Sequence, residues 1–380
     1  MNIIFNNIDD RYVKNRPEYM GDIQPKYWFS NKNESVLVKR QHSQKVLGQT
    51  AKSKMFNHYG EYFGYLLAQK SEIDACPVEL ISVHDTKNKY SKTLHIYPAC
   101  ASKRVLQPCQ NMILGEMVVS SFESNYREKY RELLSKSNSS VSNVQSRMSL
   151  DSYDNIDVVL ASIVAETIRY ESRFGKCSSE QVKEDVKENL KSAIDMMVYD
   201  CMFGNNDRHS QNWAMYTDQE NGKAKLYPLY DNERVLGLSI PVVDLKRAVA
   251  SGDLETKTEE NQLSRMGIAP LHSGVSYKYV LEHLVNNYPE YALSAIQRIT
   301  DNVTVQDIEE MYDSTKGIVE RSKFSDELTA EAELPEEYKT YGVALYTQRR
   351  AFARELLEKN RDLKVTPRRK EEPEEELMIV

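Results

Sequence analysis

A short polar segment, GNNDRHSQNW at residues 204–213, concentrates side chains that could do chemistry. Asp207 offers a carboxylate and Asn212 an amide oxygen, and a second carboxylate, Asp231, follows further along. A base for a hydroxyl proton and two oxygen ligands for a hard cation such as Mg²⁺ are the parts that phosphoryl transfer requires. The pattern therefore predicts that Asp207, Asn212 and Asp231 converge at one phosphoryl-transfer site.

The elements on either side must position these groups. Apolar residues recur at three- and four-residue steps over residues 180–203, which predicts a buried helix. Gly204 suits the left-handed conformation that ends a helix. The following WAMYTDQENGKAKLYPLYDN predicts a strand, a polar turn and a second strand that leads to Asp231. The polar segment is thus predicted to be a loop between a buried helix and a hairpin.

The composition predicts a soluble, cytoplasmic protein of two domains or lobes. The chain has 380 residues, 40% of them hydrophobic, which is enough for a sizeable core. It contains no run of about 18 apolar residues for a membrane span, and its first residues do not form a signal peptide. Five scattered cysteines without a CxxC pair argue against disulfides or a zinc site. The net charge of −7 speaks against direct nucleic-acid binding, which rests on clustered lysine and arginine.

Periodicity predicts a strand-rich first part with one prominent helix over 56–70. The strands are predicted within YWFSNKNESVLVKR at 27–40 and in the runs VELISVHD, TLHIYPA and MILGEMVVSSF. Helical patterns then dominate, and they cover 155–173, 180–203, about 277–299, 305–320 and 336–360. The fold class is therefore α+β, with a small strand-rich part before a larger, mainly helical one.

Composition also marks the domain boundaries. The predicted division is an N-lobe at 1–122, a helical C-lobe at 123–363 and a charged, disordered tail at 364–380. Within the C-lobe, the Ser- and Asn-rich residues 135–152 predict a mobile loop. Ser146 or Ser149 in that loop is a candidate autophosphorylation site.

The catalytic segment resembles that of the HipA-like serine/threonine kinases. GNNDRHSQNW is similar to the family pattern Gly-Asn-x-Asp-x-His-x-x-Asn, and YDNERVLG is similar to the Asp-Asn motif that follows it. Upstream, the strand pair in 27–40, the helix in HYGEYFGYLLAQ and the run MVVSSFES resemble that family's nucleotide-binding elements in the same order. The resemblance covers roughly residues 27–240 and implies the two-lobed protein-kinase-like fold.

The resemblance assigns a role to each matched residue of the C-lobe. Asp207 would be the catalytic base, while His209 would orient the catalytic loop. Arg208 would support that loop or a neighbouring phosphate. Asn212 and Asp231 would hold Mg²⁺.

The resemblance also assigns the nucleotide contacts. Lys39 would contact the α- and β-phosphates of ATP and would be oriented by Glu61. Ser120 and Phe122 would lie on the strand that leads into the hinge between the lobes and would face the adenine.

Two features depart from the family pattern. A glycine-rich GxGxxG loop is missing, and residues 43–55 are predicted from their location to cover the phosphates instead. Glu233 and Arg234 stand where the family commonly has small residues, and they add charge beside the predicted metal site.

The leading hypothesis is an ATP- and Mg²⁺-dependent kinase that acts on serine or threonine in a protein substrate. The Asp-Arg-His-x-x-Asn pattern also resembles phosphoinositide-type kinases, so a small-molecule or lipid acceptor stays open, as does transfer of AMP. A nucleotide-binding pseudokinase that serves as an interaction module is the alternative from another class. The family resemblance further implies a toxin component silenced by a small, DNA-binding, antitoxin-like partner. No DNA-binding segment and no membrane-facing basic patch is evident in this chain itself.

Overall fold

The structure is a computed structural model that describes residues 6–7, 13–14, 26–30, 35–45, 52–86, 94–122, 156–174, 178–260, 276–316 and 332–361. The loop predicted at 135–152, with Ser146 and Ser149, and the tail predicted at 364–380 lie outside these residues. Within the described part of the chain, every helix is too short or too polar to span a bilayer.

The first part of the chain is built mainly from strands. Its elements are β1 (Asn6–Asn7), β2 (Val13–Lys14), β3 (Lys26–Ser30), β4 (Ser35–Arg40), β5 (His42–Lys45), β6 (Lys52–Met55), α1 (Asn57–Lys70), β7 (Val78–Thr86) and β8 (Leu94–Lys103). Six of the strands form one sheet in the order β1-β7-β8-β4-β3-β2, and β5 pairs with β6 in a separate hairpin. The predicted strand pair is confirmed, with Tyr27 opposite Val38.

The second part is mainly helical and contains most of the described core. Its elements are β9 (Gln110–Leu114), α2 (Gly115–Phe122), α3 (Ile156–Phe174), α4 (Ser179–Phe203), β10 (Ala214–Asp218), β11 (Lys223–Leu226), α5 (Val242–Ala250), α6 (Leu254–Glu260), α7 (Tyr277–Asn287), α8 (Pro289–Asn302), α9 (Val305–Asp313) and α10 (Glu336–Lys359). The strands β9, β10 and β11 form a second antiparallel sheet. The predicted α+β class is confirmed.

Helix α4 explains how the polar segment is delivered. It begins after Ser178, whose hydroxyl accepts a hydrogen bond from the Gln181 amide, and its last eleven residues, 193–203, are buried. It ends at Gly204, which has the predicted left-handed conformation with φ 75°. Its C-terminal end therefore holds the start of the predicted catalytic loop inside the core.

One predicted strand is wrong in its second half. The run MILGEMVVSSF forms strand only as far as Leu114, and Gly115 begins helix α2. The backbone turns because the amides of Gly115 and Glu116 donate to the carbonyls of Trp213 and Ser210. A short apolar run does not distinguish strand from helix by itself, and these long-range bonds decide the outcome.

The helix predicted over 277–299 is also wrong as a single element. It is two helices, α7 and α8, which meet at Tyr288 and Pro289. Proline lacks the N–H needed inside a helix but is well suited to the first helical position. Pro289 therefore starts a new helix.

Candidate functional site

Lys39 lies on β4, where it contacts helix α1 and the segment that follows β11. Its ammonium pairs with the carboxylate of Glu61 on α1, and it donates to Asp231 Oδ1 at 2.6 Å. Glu233 Oε2 lies 3.9 Å from the same nitrogen. The sequence-predicted residues Lys39, Glu61 and Asp231 are therefore in direct contact, although they are far apart in the chain.

The electrostatics of Lys39 follow from these neighbours. Burial opposes its charged form, but the carboxylates of Asp231, Glu61 and Glu233 outweigh that penalty and hold the pKa of Lys39 well above its ordinary value. Lys39 is therefore a charged ammonium at neutral pH inside the protein.

Two glycines allow α1 to approach the segment that follows the hairpin. A β-carbon on Gly60 would lie 2.0 Å from the carbonyl oxygen of Glu233, and one on Gly64 would lie 2.5 Å from Cβ of Asn232. The close approach lets Glu61 Oε2 accept a hydrogen bond from the Asn232 amide at 3.0 Å. Sequence reasoning missed the use of these glycines, although their four-residue spacing puts them on one helix face.

Arg208 connects the predicted catalytic loop to the segment that contains Asp231. Its side chain is 1% exposed, and it pairs with Asp200 at the end of α4. The same guanidinium donates to the carbonyl oxygens of Asn212 and Tyr230, and to Asn232 Oδ1, at 2.5–2.7 Å. Arg208 thus joins the residue before Asp231 to the predicted metal ligand Asn212. Asp200 and Asn232 are its partners that sequence reasoning did not identify.

The predicted catalytic loop is a tight turn closed by its own hydrogen bonds. The carbonyl oxygen of Asp207 accepts from the His209 amide and from Nδ2 of Asn212, both at 2.8 Å. His209 Nδ1 accepts from the Gln211 amide. Burial lowers the pKa of His209 and outweighs the opposite effect of the nearby carboxylates, so its neutral form is favoured. The His209 ring therefore accepts a hydrogen bond within its own loop.

The two charged residues that depart from the family pattern have defined contacts. Glu233 joins the carboxylates around Lys39, as described above. Arg234 forms an ion pair with Asp207, with 3.0 Å between Nε and Oδ2. The extra charges thus contact the predicted nucleotide-contacting lysine and the predicted base.

The backbone of this segment adopts uncommon conformations. Asp231 has φ 56° and Leu236 has φ 54°. Aspartate tolerates this left-handed region, whereas a leucine rarely enters it. Both residues persist in it because Arg208 and Glu61 bind one end of the segment, and Leu236 and Gly237 are buried in the core at the other.

The donor set fits a hard divalent cation. Carboxylate oxygens of Glu61, Asp231 and Glu233 all lie within 4.8 Å of one another, and Lys39 offsets only part of their charge. Asn212 carries a further amide oxygen, and Arg208 joins the backbone carbonyl of Asn212 to that of Tyr230, next to Asp231. Magnesium prefers such oxygen ligands, and the predicted pair Asn212 and Asp231 is chemically suitable.

The predicted adenine-facing residues lie on a helix, which corrects the strand that had been expected. The Ser120 hydroxyl donates to the carbonyl of Met117 within α2, and the Phe122 side chain is 47% exposed. The chain passes from the N-terminal sheet to the second sheet between Lys103 and Gln110, before α2 begins. The expected hinge strand is therefore absent at 117–122, and adenine contact by these two residues stays a prediction.

The residues predicted to cover the phosphates are described only in part. Residues 42–45 and 52–55 pair as the antiparallel strands β5 and β6, and residues 46–51 lie outside the described chain. Their role at the site therefore also stays a prediction.

Comparison with solved structures defines the class of fold. The chain matches the crystal structure of a proinflammatory kinase, CtkA of Helicobacter pylori, with a TM-score of 0.58 and 15% identity over 97% of this chain and 100% of that one. HipA of Shewanella oneidensis MR-1, solved with HipB and its operator DNA, matches with a TM-score of 0.43 and 13% identity over 91% of this chain and 68% of that one. A scan of protein-family models and a search of curated proteins gave no match.

The chain therefore has a kinase-like fold. The likeness to CtkA spans nearly the whole of both chains, and it confirms the kinase-like fold that the sequence resemblance predicted. At such low identity the likeness concerns the arrangement of elements and says nothing about substrate or partner.

Proposed function

We propose that this chain is an ATP- and Mg²⁺-dependent kinase that transfers a phosphoryl group to a serine or threonine hydroxyl of a protein. The observation that carries the proposal is the contact of Lys39 with both Glu61 and Asp231. A lysine on a strand, paired with a helix glutamate and next to the aspartate after a hairpin, is the arrangement that phosphoryl transfer uses to hold nucleotide phosphates.

The roles of the phosphate-binding residues follow from their chemistry. Asn212 and Asp231 would hold Mg²⁺, which supplies neutralisation of phosphate charge when it is bound. Lys39 would donate to the α- and β-phosphates, and Glu61 would keep its ammonium in position. The buried position of both residues excludes water from this pair and strengthens the interaction.

Asp207 would be the base. The Asp207 side chain is partly exposed, at 21%, which leaves room for an incoming hydroxyl to approach it. As the hydroxyl oxygen forms its bond to the γ-phosphorus and the bond to the ADP oxygen breaks, Asp207 would accept the hydroxyl proton. Most of the rate enhancement would come from positioning and charge stabilisation, because the transition state is loose.

Labelling with [γ-³²P]ATP and Mg²⁺ tests the proposal. The wild-type chain is incubated with a proteome extract beside the Asp207→Ala variant, whose fold is checked by thermal unfolding. We expect label on serine or threonine with the wild type only. Label that persists with Asp207→Ala would refute the assignment of the base, and transfer from [α-³²P]ATP would identify AMP transfer instead.

Autophosphorylation and a regulatory partner are separate parts of the proposal. Intact-mass measurement after incubation with ATP and Mg²⁺ tests autophosphorylation, and an unchanged mass would contradict it. The family resemblance supports a toxin-like activity silenced by a small DNA-binding partner. We expect expression of the wild type, but not of Asp207→Ala, to slow growth if that part is correct.

A further inference from the structure

Three described cations contact the candidate site residues, and two of them are already committed. Lys39 is paired with the carboxylates around it and is already assigned to the α- and β-phosphates. Arg208 is buried and donates to acceptors within the fold. Arg234 is therefore the cation in this group that has no assigned role and has donors left for a ligand.

The neighbours of Arg234 contact only part of its guanidinium. Its Nε is buried and lies 3.0 Å from Asp207 Oδ2, whereas 24% of the side chain is exposed. The exposure therefore belongs to other atoms of the side chain. Its terminal nitrogens donate no hydrogen bond to the described residues. A guanidinium carries five N–H donors in a planar fork, so four donors stay available beside the predicted base.

The backbone around Arg234 is held on both sides. The Glu233 carbonyl abuts Gly60, and the Val235 amide donates to the Asn232 carbonyl at 3.2 Å. Val235 itself is fully buried. Because its neighbours are fixed, the backbone of Arg234 has a defined position, from which the side chain reaches Asp207.

We propose that Arg234 binds the γ-phosphoryl group of ATP and bridges it to Asp207. This inference rests on the proposed kinase function and assigns it one further residue. A γ-phosphate placed for transfer would lie near the Asp207 carboxylate, and two anions at that distance repel each other. An arginine between them binds both and stabilises the charge on the phosphoryl oxygens during transfer.

Binding measurements test this role without turnover. Isothermal titration with Mg²⁺ compares ADP with adenylyl imidodiphosphate, an unreactive ATP analogue that retains the γ-phosphate. For Arg234→Met we expect affinity for the analogue to fall about tenfold, as for loss of a charge-assisted hydrogen bond, while ADP affinity changes less than about twofold. Arg234→Lys should recover part of the preference because it restores the charge. Arg234→Gln repeats the test if the Met variant does not fold.

Arg247→Met is the matched control, because Arg247 also pairs with a nearby aspartate but lies on α5 with 62% of its side chain exposed. It should leave both affinities unchanged. An unchanged preference for the analogue over ADP in folded Arg234→Met overturns the inference and leaves the kinase proposal standing. An equal loss in Arg247→Met also overturns it, as a general charge effect. A wild-type chain that binds neither nucleotide overturns both proposals.

Discussion

The backbone amide of Asn232 donates a hydrogen bond to Glu61 across 3.0 Å, and the second oxygen of that carboxylate pairs with Lys39. One side chain therefore fixes both the predicted nucleotide-contacting lysine and the residue that follows the predicted metal ligand. The carboxylate does this because it is buried and because α1 approaches the segment closely. The ion pair of Lys39 with Glu61 and the close packing of α1 against Asn232 therefore depend on each other.

Removing the charge of Lys39 should destabilise the protein strongly. Lys39→Met leaves Glu61, Asp231 and Glu233 close together without their cation. We expect the free energy of unfolding to fall by about 3–5 kcal/mol at pH 7, as when one partner of a buried pair is removed. The variant should regain stability as the pH falls, because the carboxylates become protonated. Urea denaturation at several pH values measures both effects.

Two further variants make this result specific. Adding Glu61→Gln to Lys39→Met should recover part of the loss, because one uncompensated charge is removed. Lys70→Met breaks a pair with Asp307 in which 45% of the lysine side chain is exposed, and it should cost less than about 1 kcal/mol. A similar loss in both lysine variants would contradict the buried-pair account.

Gly60→Ala should destabilise the protein, although a change from glycine to alanine usually stabilises a helix. In an ordinary helix interior the change stabilises by about 1 kcal/mol. Here the new β-carbon would overlap the Glu233 carbonyl, so we expect a net loss of about 2 kcal/mol and a smaller thermal shift with ATP and Mg²⁺. Gly252→Ala is the control, since Gly252 has a positive φ but an added β-carbon there would have no atom within 4 Å. It should lose about 1 kcal/mol and keep its response to nucleotide.

Arg208→Met should lower the free energy of unfolding by about 3–5 kcal/mol, because Asp200 and two carbonyl oxygens lose a buried partner. Arg208→Lys should not restore stability, since an ammonium cannot reproduce the contacts of the planar fork. Chemical denaturation measures the loss, and Arg169→Met, on a side chain with 53% exposure, provides the surface control. Wild-type stability in Arg208→Lys would show that charge alone suffices.

His58 should make the protein sensitive to acid. Burial lowers its pKa from 6.5 to about 3, so the unfolded chain takes up a proton at moderately acidic pH that the folded chain does not. The stability from this group is fully present above pH 6.5 and is lost as the pH falls towards 3. Between pH 7 and 5 the loss is about 2 kcal/mol. His58→Gln should flatten the stability curve over this range relative to wild type, and parallel curves would contradict the assignment.

Local patterns were sufficient to predict much of the fold. The strand pair that carries Lys39, helix α1 and helix α4 with its end at Gly204 all follow from periodicity and capping. These features depend on neighbours in the chain, so the sequence displays them directly. Helix α2 was missed because its start is decided by bonds from Gly115 and Glu116 to a distant loop.

The sequence identified candidate site residues, but it did not predict how their side chains contact one another. Spacing indicated that Asp207, Asn212 and Asp231 belong together, and family resemblance added Lys39. The contact of Arg208 with Asp200 and Asn232 could not be predicted, because no local pattern pairs residues from separate elements. The ion pair of Arg234 with Asp207 could not be predicted for the same reason, because it also joins separate parts of the chain.

The absence of β-carbons at Gly60 and Gly64 has a mechanical consequence. Helix α1 lies directly against Asn232 and Glu233 and is hydrogen-bonded to Asn232 through Glu61. A displacement of the helix would therefore be transmitted to the neighbouring Asp231, the predicted metal ligand. We expect movement of the helix and rearrangement of the predicted metal site to occur together.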